Sequence, residues 1–144
     1  MKTLNILKDM VTAACAPPED RRLMWSELDD CVLMTPDSFV CYRLRAQDVP
    51  FVFKESRRSD VPKDLWKKIL GMDYVLAQKI YVVQEEANDR LEKRVIFDEK
   101  VAVRERLTKN FDKHAEYYIA GSKDAVLVFE QEEPAGFIMP VRWE

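Results

Sequence analysis

His114 is the sole histidine of the 144-residue chain, so a His–His metal site cannot form and no Cys–His pair stands at sequence range. At the end of an expected helix it reads as a dipole-favoured cap rather than a catalyst. Cys15, Cys31 and Cys41 are odd in number and lack the close paired spacings of a zinc site, which in a reducing compartment describes small buried hydrophobes. Gly71, Gly121 and Gly136 stand alone, so no glycine-rich loop can cradle a phosphate and nucleotide hydrolysis is not expected. Carboxylates cluster at Glu27, Asp29 and Asp30 and again at Glu85, Glu86, Asp89 and Glu92. A Mg²⁺ ion could be assembled on the second group, but runs of this kind are more often solvated surface. Trp66 falls on an apolar helical face and reads as core, leaving Trp143 as the candidate for an exposed aromatic contact. No catalytic residue, metal or cofactor is therefore assigned, and the chain reads as a non-enzymatic protein.

Basic side chains offer more. Between Asp98 and His114, Arg106, Lys109 and Lys113 follow spacings of three and four that would put them on one flank of a helix, where they could meet a phosphate backbone. Lys2 and Lys8 could do the same from a first helix. The charge of residues 98–114 is small, however, with five basic residues (Lys100, Arg104, Arg106, Lys109, Lys113) against four acidic ones (Asp98, Glu99, Glu105, Asp112). A solvated helix of mixed charge has the same signature.

The elements that would carry these residues follow from periodicity. Leu4, Leu7, Met10, Val11 and Ala14 recur at helical spacing after Thr3, a plausible N-cap, and Pro17-Pro18 stops the helix near 15. Strands are expected near 27–34, 38–45 and 50–54, with a turn at Thr35-Pro36-Asp37-Ser38. Asp60 and Pro62 open a second helix bearing Val61, Leu65, Trp66 and Ile69 on one face, closed by Gly71. Tyr74–Gln84 reads as one strand, residues 85–92 as a charged hairpin connection and 93–97 as the returning strand. Asp98 then caps a helix to about His114 whose Val103, Leu107 and Phe111 face the core. Strands at 117–120, 125–130 and 135–143 close the chain. A helix followed by several antiparallel strands occurs twice, which predicts a single α+β domain over 1–144, two helices on antiparallel sheets, with pseudo-symmetric halves.

Composition sets the bounds. Hydrophobic residues make up 47% and charged residues 34%, with three glycines, which excludes collagen-like, low-complexity and disordered classes. The net charge of −3 argues against a protein that coats DNA, so any nucleic-acid contact must come from a local patch. No apolar run approaches the roughly 18 residues that cross a bilayer, and Asp9 interrupts any would-be signal core. The reading places the chain in the cytoplasm with no membrane contact.

Phe97-Asp98-Glu99-Lys100 opening a helix, strands around Tyr117-Tyr118-Ile119-Ala120 and Ala125-Val126-Leu127-Val128-Phe129, and the ending Gly136-Phe137-Ile138-Met139-Pro140-Val141-Arg142-Trp143 together resemble the closing half-domain of the bacterial DNA polymerase III sliding clamp, the beta subunit. That family typically ends in an apolar strand, Met-Pro-x-Arg and a final hydrophobic residue. Asp37-Ser38-Phe39-Val40-Cys41-Tyr42-Arg43-Leu44 is faintly similar to its Thr-Asp-Gly-x-Arg-Leu segment. The resemblance implies two helices lining one face, sheets outside, and a ring of six such domains around duplex DNA, here an oligomer of six copies. It implies that Lys2, Lys8, Arg106, Lys109 and Lys113 face DNA weakly. It further implies that Phe137, Met139, Pro140, Val141 and Arg142 form a pocket for the clamp-binding-motif peptides of replication proteins. A buried edge strand is the alternative meaning of residues 139–143, and a small accessory or phage-type interaction module without a DNA role is the alternative for the whole.

Overall fold

The structure, a computed structural model, describes residues 1–49, 58–87 and 89–142. The expected strand at 50–54 and the terminal Trp143 lie outside them. It is a small α+β fold with two α-helices, and every strand pairing among the described residues is antiparallel apart from a single parallel bridge between Trp25 and Arg58.

Helix α1 spans Thr3–Ala14 and buries Ile6 and Met10, one turn apart. Its N-cap is Lys2 rather than Thr3, and no side chain caps it. Tertiary contacts hold that end instead, as Lys2 N–H donates to Asn110 O (2.8 Å) and the amino terminus lies 3.0 Å from Glu130.

Strands β1 (Met24–Leu28), β2 (Cys31–Asp37) and β3 (Val40–Arg45) form a meander. The expected strand 27–34 is in fact two strands, because Asp29 adopts a positive φ of 53° and turns the chain. The expected turn moves to Ser38-Phe39, where Asp37 Oδ1 accepts the Phe39 N–H at 2.8 Å, as an Asx turn does. Helix α2 (Val61–Leu70) ends at Gly71 and buries Pro62, Trp66 and Ile69, while Val61 points out. Ser26 on β1 accepts the Lys63 N–H (3.2 Å) and so helps satisfy the first turn.

The expected strand over 74–84 is split between two sheets, β4 (Val75–Leu76) and β5 (Ile80–Ala87). The Asp98 carboxylate breaks it by accepting the N–H groups of Gln78 (2.8 Å) and Lys79 (2.7 Å). β6 (Arg90–Phe97) returns beside β5.

The expected helix from Asp98 to His114 does not form. Asp98 and Glu99 have φ of 52° and 56°, Lys100 N–H donates to Phe97 O, and β7 (Val101–Arg104) runs back along β6. Two consecutive left-handed residues make a hairpin turn, not a helix cap. Val103, Leu107 and Phe111 are all buried, but from a strand, a single 3₁₀ turn (Glu105–Leu107) and a loop respectively. β8 (Glu116–Ile119), β9 (Val126–Glu130) and β10 (Glu133–Ile138) complete the chain.

The larger sheet has the order β1-β2-β3-β10-β9-β8-β4 and the smaller β5-β6-β7. Successive strand residues face opposite sides, so the larger sheet feeds two cores. Val32, Met34, Val40, Tyr42, Val126, Val128 and Ile138 meet α1 and the small sheet's Val95, Phe97, Val101 and Val103. Leu33, Cys41, Leu127 and Phe137 meet Trp66 and Ile69 of α2. The two helices therefore cover opposite faces of one sheet, rather than lying side by side as the resemblance implies. Gly136 sits at the β3–β10 seam, where a Cβ would overlap Cys41 O and crowd the Phe111 ring at 2.9 Å.

Candidate interaction surface

The C-terminal residues singled out in the sequence act as a strap. Phe137 is 1% exposed, its ring centroid 6.3 Å from that of Trp66, which makes it a core residue between β10 and α2. Met139 N–H donates to Phe39 O (2.7 Å) and Val141 N–H to Ala102 O (2.8 Å), so the chain leaves the larger sheet and bridges onto β7. Pro140 is half-buried between these bonds. Arg142 is exposed, and its carbonyl accepts from Arg94 Nη1 at 2.7 Å. None of these five residues lines the clefts of about 680, 270 and 370 Å³.

The basic residues are exposed, but they do not share one helix flank. Lys2 and Lys8 lie on α1 and its cap. Arg106 lies in the 3₁₀ turn, 3.9 Å from Asp37, Lys109 pairs with Glu105 at 3.7 Å, and Lys113 is in the loop before β8. Asn110 ties this loop to α1 by donating to Asp9 Oδ2 (2.8 Å) and to β3 by donating to Tyr42 Oη (3.1 Å). Lys2 is thereby brought beside the loop. Asp9, Asp37 and Asp112 share the same surface.

His114 is exposed in that loop, not at a helix end. Burial pushes the Cys41 thiol well up, and burial together with a hydrogen bond to Asp30 raises that of Cys31, so neither is an activated nucleophile. Of the second carboxylate cluster, Glu85 is held by Arg94 Nη1 (3.0 Å), and Glu92 by Arg94 Nη2 (3.3 Å) and Arg104 Nε (2.9 Å). The Arg104 guanidinium also stacks on Phe39, 4.4 Å from the ring centroid. Among the described residues no group of three or more His, Cys, Asp or Glu is placed to hold a metal ion.

What remains conspicuous is the β5–β6 hairpin. Ile80 and Val82 share their face with Phe97 and Val95 opposite them on β6, yet they project past the core and are 48% and 55% exposed. Leu91, on the same face, is 71% exposed. β5 is an edge strand of eight residues paired to β6 without a register shift, and no strand among the described residues pairs with its outer side. It carries none of the proline or bulge devices that blunt such edges, its charges being Glu85 and Glu86 toward its C-terminal end, with Lys79 just before its start. Periodicity could not single out this surface, since an apolar run reads equally as buried strand.

Compared with known protein families, with curated proteins and with solved structures, the chain matches none. No helix among the described residues is long and apolar enough to cross a membrane.

Proposed function

We propose that this chain is a non-enzymatic protein-interaction domain that takes up an extended segment along the outer edge of β5. The single observation carrying the reading is that long, regular edge with Ile80 and Val82 exposed beside it. In strand addition, main-chain hydrogen bonds supply affinity and alternate side chains supply selectivity. The test is a selection of displayed extended peptides against the unmodified chain and against Val82→Lys. Binders that lose affinity on the Lys variant support the reading, whereas binders recovered equally on both overturn it.

A second reading keeps the sliding-clamp resemblance. The order β1-β2-β3 against β10-β9-β8 about the β3–β10 seam favours two related halves, and the Lys2–Asn110 bond favours a shared basic edge. Opposing it are the helices on opposite faces and the ion pairs that occupy Arg106 and Lys109. Under it, a labelled DNA duplex at low salt should be retained by the unmodified chain and released by Lys109→Glu with Lys113→Glu. No retention at low salt would remove the DNA role.

A further inference from the structure

We infer that the segment taken up by β5 is β5 of a second copy, in an antiparallel pairing with its two-fold axis at Val82; this rests on the edge reading above. The direction of the backbone groups follows from the register. Asp98 N–H donates to Lys79 O (2.8 Å) one step beyond the Ile80–Phe97 pair. Inward and outward groups alternate along an antiparallel strand, so Lys79, Tyr81, Val83 and Glu85 address β6, and the N–H and C=O of Ile80, Val82, Gln84 and Glu86 point outward.

A two-fold axis perpendicular to the sheet sets a residue opposite itself, and outward groups must meet outward groups, which allows the axis at any residue of the strand. Centred on Tyr81, for instance, it would set Ile80 against Val82 but Lys79 against Val83. Centred on Val82, the register sets Val82 against Val82 and Ile80 against Gln84. On the other face it sets Tyr81 against Val83 and Lys79 against Glu85 of opposite charge. Centred on Gln84, it would set Val82 against Glu86 and Val83 against Glu85. Centred on Ile80, it would shorten the ladder and set Lys79 against Tyr81. Of these registers only that centred on Val82 sets Val82 and Tyr81 against apolar partners and Lys79 against a carboxylate. It also joins the exposed Ile80 and Val82 of both copies into one strip.

Light-scattering mass across about 1 µM to about 1 mM should show a monomer–dimer equilibrium. Val82→Pro should weaken it about tenfold or more, because the lost N–H points outward and the β5–β6 ladder keeps its bonds. Far-ultraviolet circular dichroism checks that this variant stays folded, and Val82→Lys, which sets like charges face to face, gives a second route to the same loss. In a Cys15→Ser background, Val82→Cys should crosslink to itself under mild oxidation. A monomer at every concentration overturns the inference, as does a dimer unchanged by Val82→Pro. If the chain is monomeric while peptides still bind in a Val82-dependent manner, the edge reading stands and only the second copy falls.

Discussion

The two sheets differ in how completely their apolar faces are covered. The larger one is covered on one face by α1 and the small sheet and on the other by α2, so Leu33, Cys41, Leu127 and Phe137 disappear into one core while Val32, Met34, Val126 and Val128 disappear into the other. Among the described residues the smaller sheet is closed at one edge, where the C-terminal strap bonds to β7 through Val141 and to β6 through Arg94. At its other edge Ile80 and Val82 continue the same apolar face with nothing above them among the described residues. Whether a valine stabilises the fold or awaits a partner is decided by the layer over it, not by the strand that holds it.

The contrast can be broken most severely from the covered side. Phe137→Ala should cost about 3–5 kcal/mol by urea denaturation, since it empties the space between β10 and α2. A cost below about 1 kcal/mol would show that this core is not packed as described. Alkaline pH probes the other core. Burial raises the pKa of Tyr42 and of Tyr117 from 10.0 to about 12. Their folded pKa lies above the unfolded value, so their contribution is full below pH 10 and is lost as pH rises through about 12. The urea midpoint should fall across that window, and Tyr117→Phe should flatten the fall.

Effects away from the packed cores should be milder. Val141→Pro removes one bond of the strap and should cost about 1 kcal/mol, with faster amide exchange in β7 but not in β2. At the β9–β10 turn, Gln131 and Glu132 both have positive φ (52° and 65°), so Glu132→Gly should raise stability by about 0.5–1 kcal/mol. Smallest of all, Val82→Lys should leave the stability of the single copy within about 0.5 kcal/mol. A larger loss would mean that β5 belongs to the core and is no docking edge.

Part of this was legible in the residues. Met10 within an apolar periodic run, Pro62 and Gly71 at the two ends of α2, and the cores of the three closing strands follow from local rules. Ile6, the other buried residue of α1, was not in the periodic set, Leu4 and Val11 of that set are exposed, and the last strand stops at Ile138 rather than 143. The segment from Asp98 to His114 was misread because Val103, Leu107 and Phe111 have helical spacing and are buried, which a strand, a turn and a loop can also achieve in succession. The deciding feature, positive φ at Asp98 and Glu99, carries no glycine or asparagine to announce it. The β5 edge was illegible for another reason, as exposure is a property of neighbours that are distant in sequence.

Taken alone, the chain's order of residues determined an α+β class, the two α-helices of the described residues and the lack of a histidine pair or glycine-rich phosphate motif, because these depend on composition and on spacings of a few residues. The tertiary structure alone decided that the helices lie on opposite faces, that Met139–Arg142 is a strap and that β5 has no strand on its outer side among the described residues. Each of those depends on which surfaces meet after the chain has folded back on itself, and burial is settled only there.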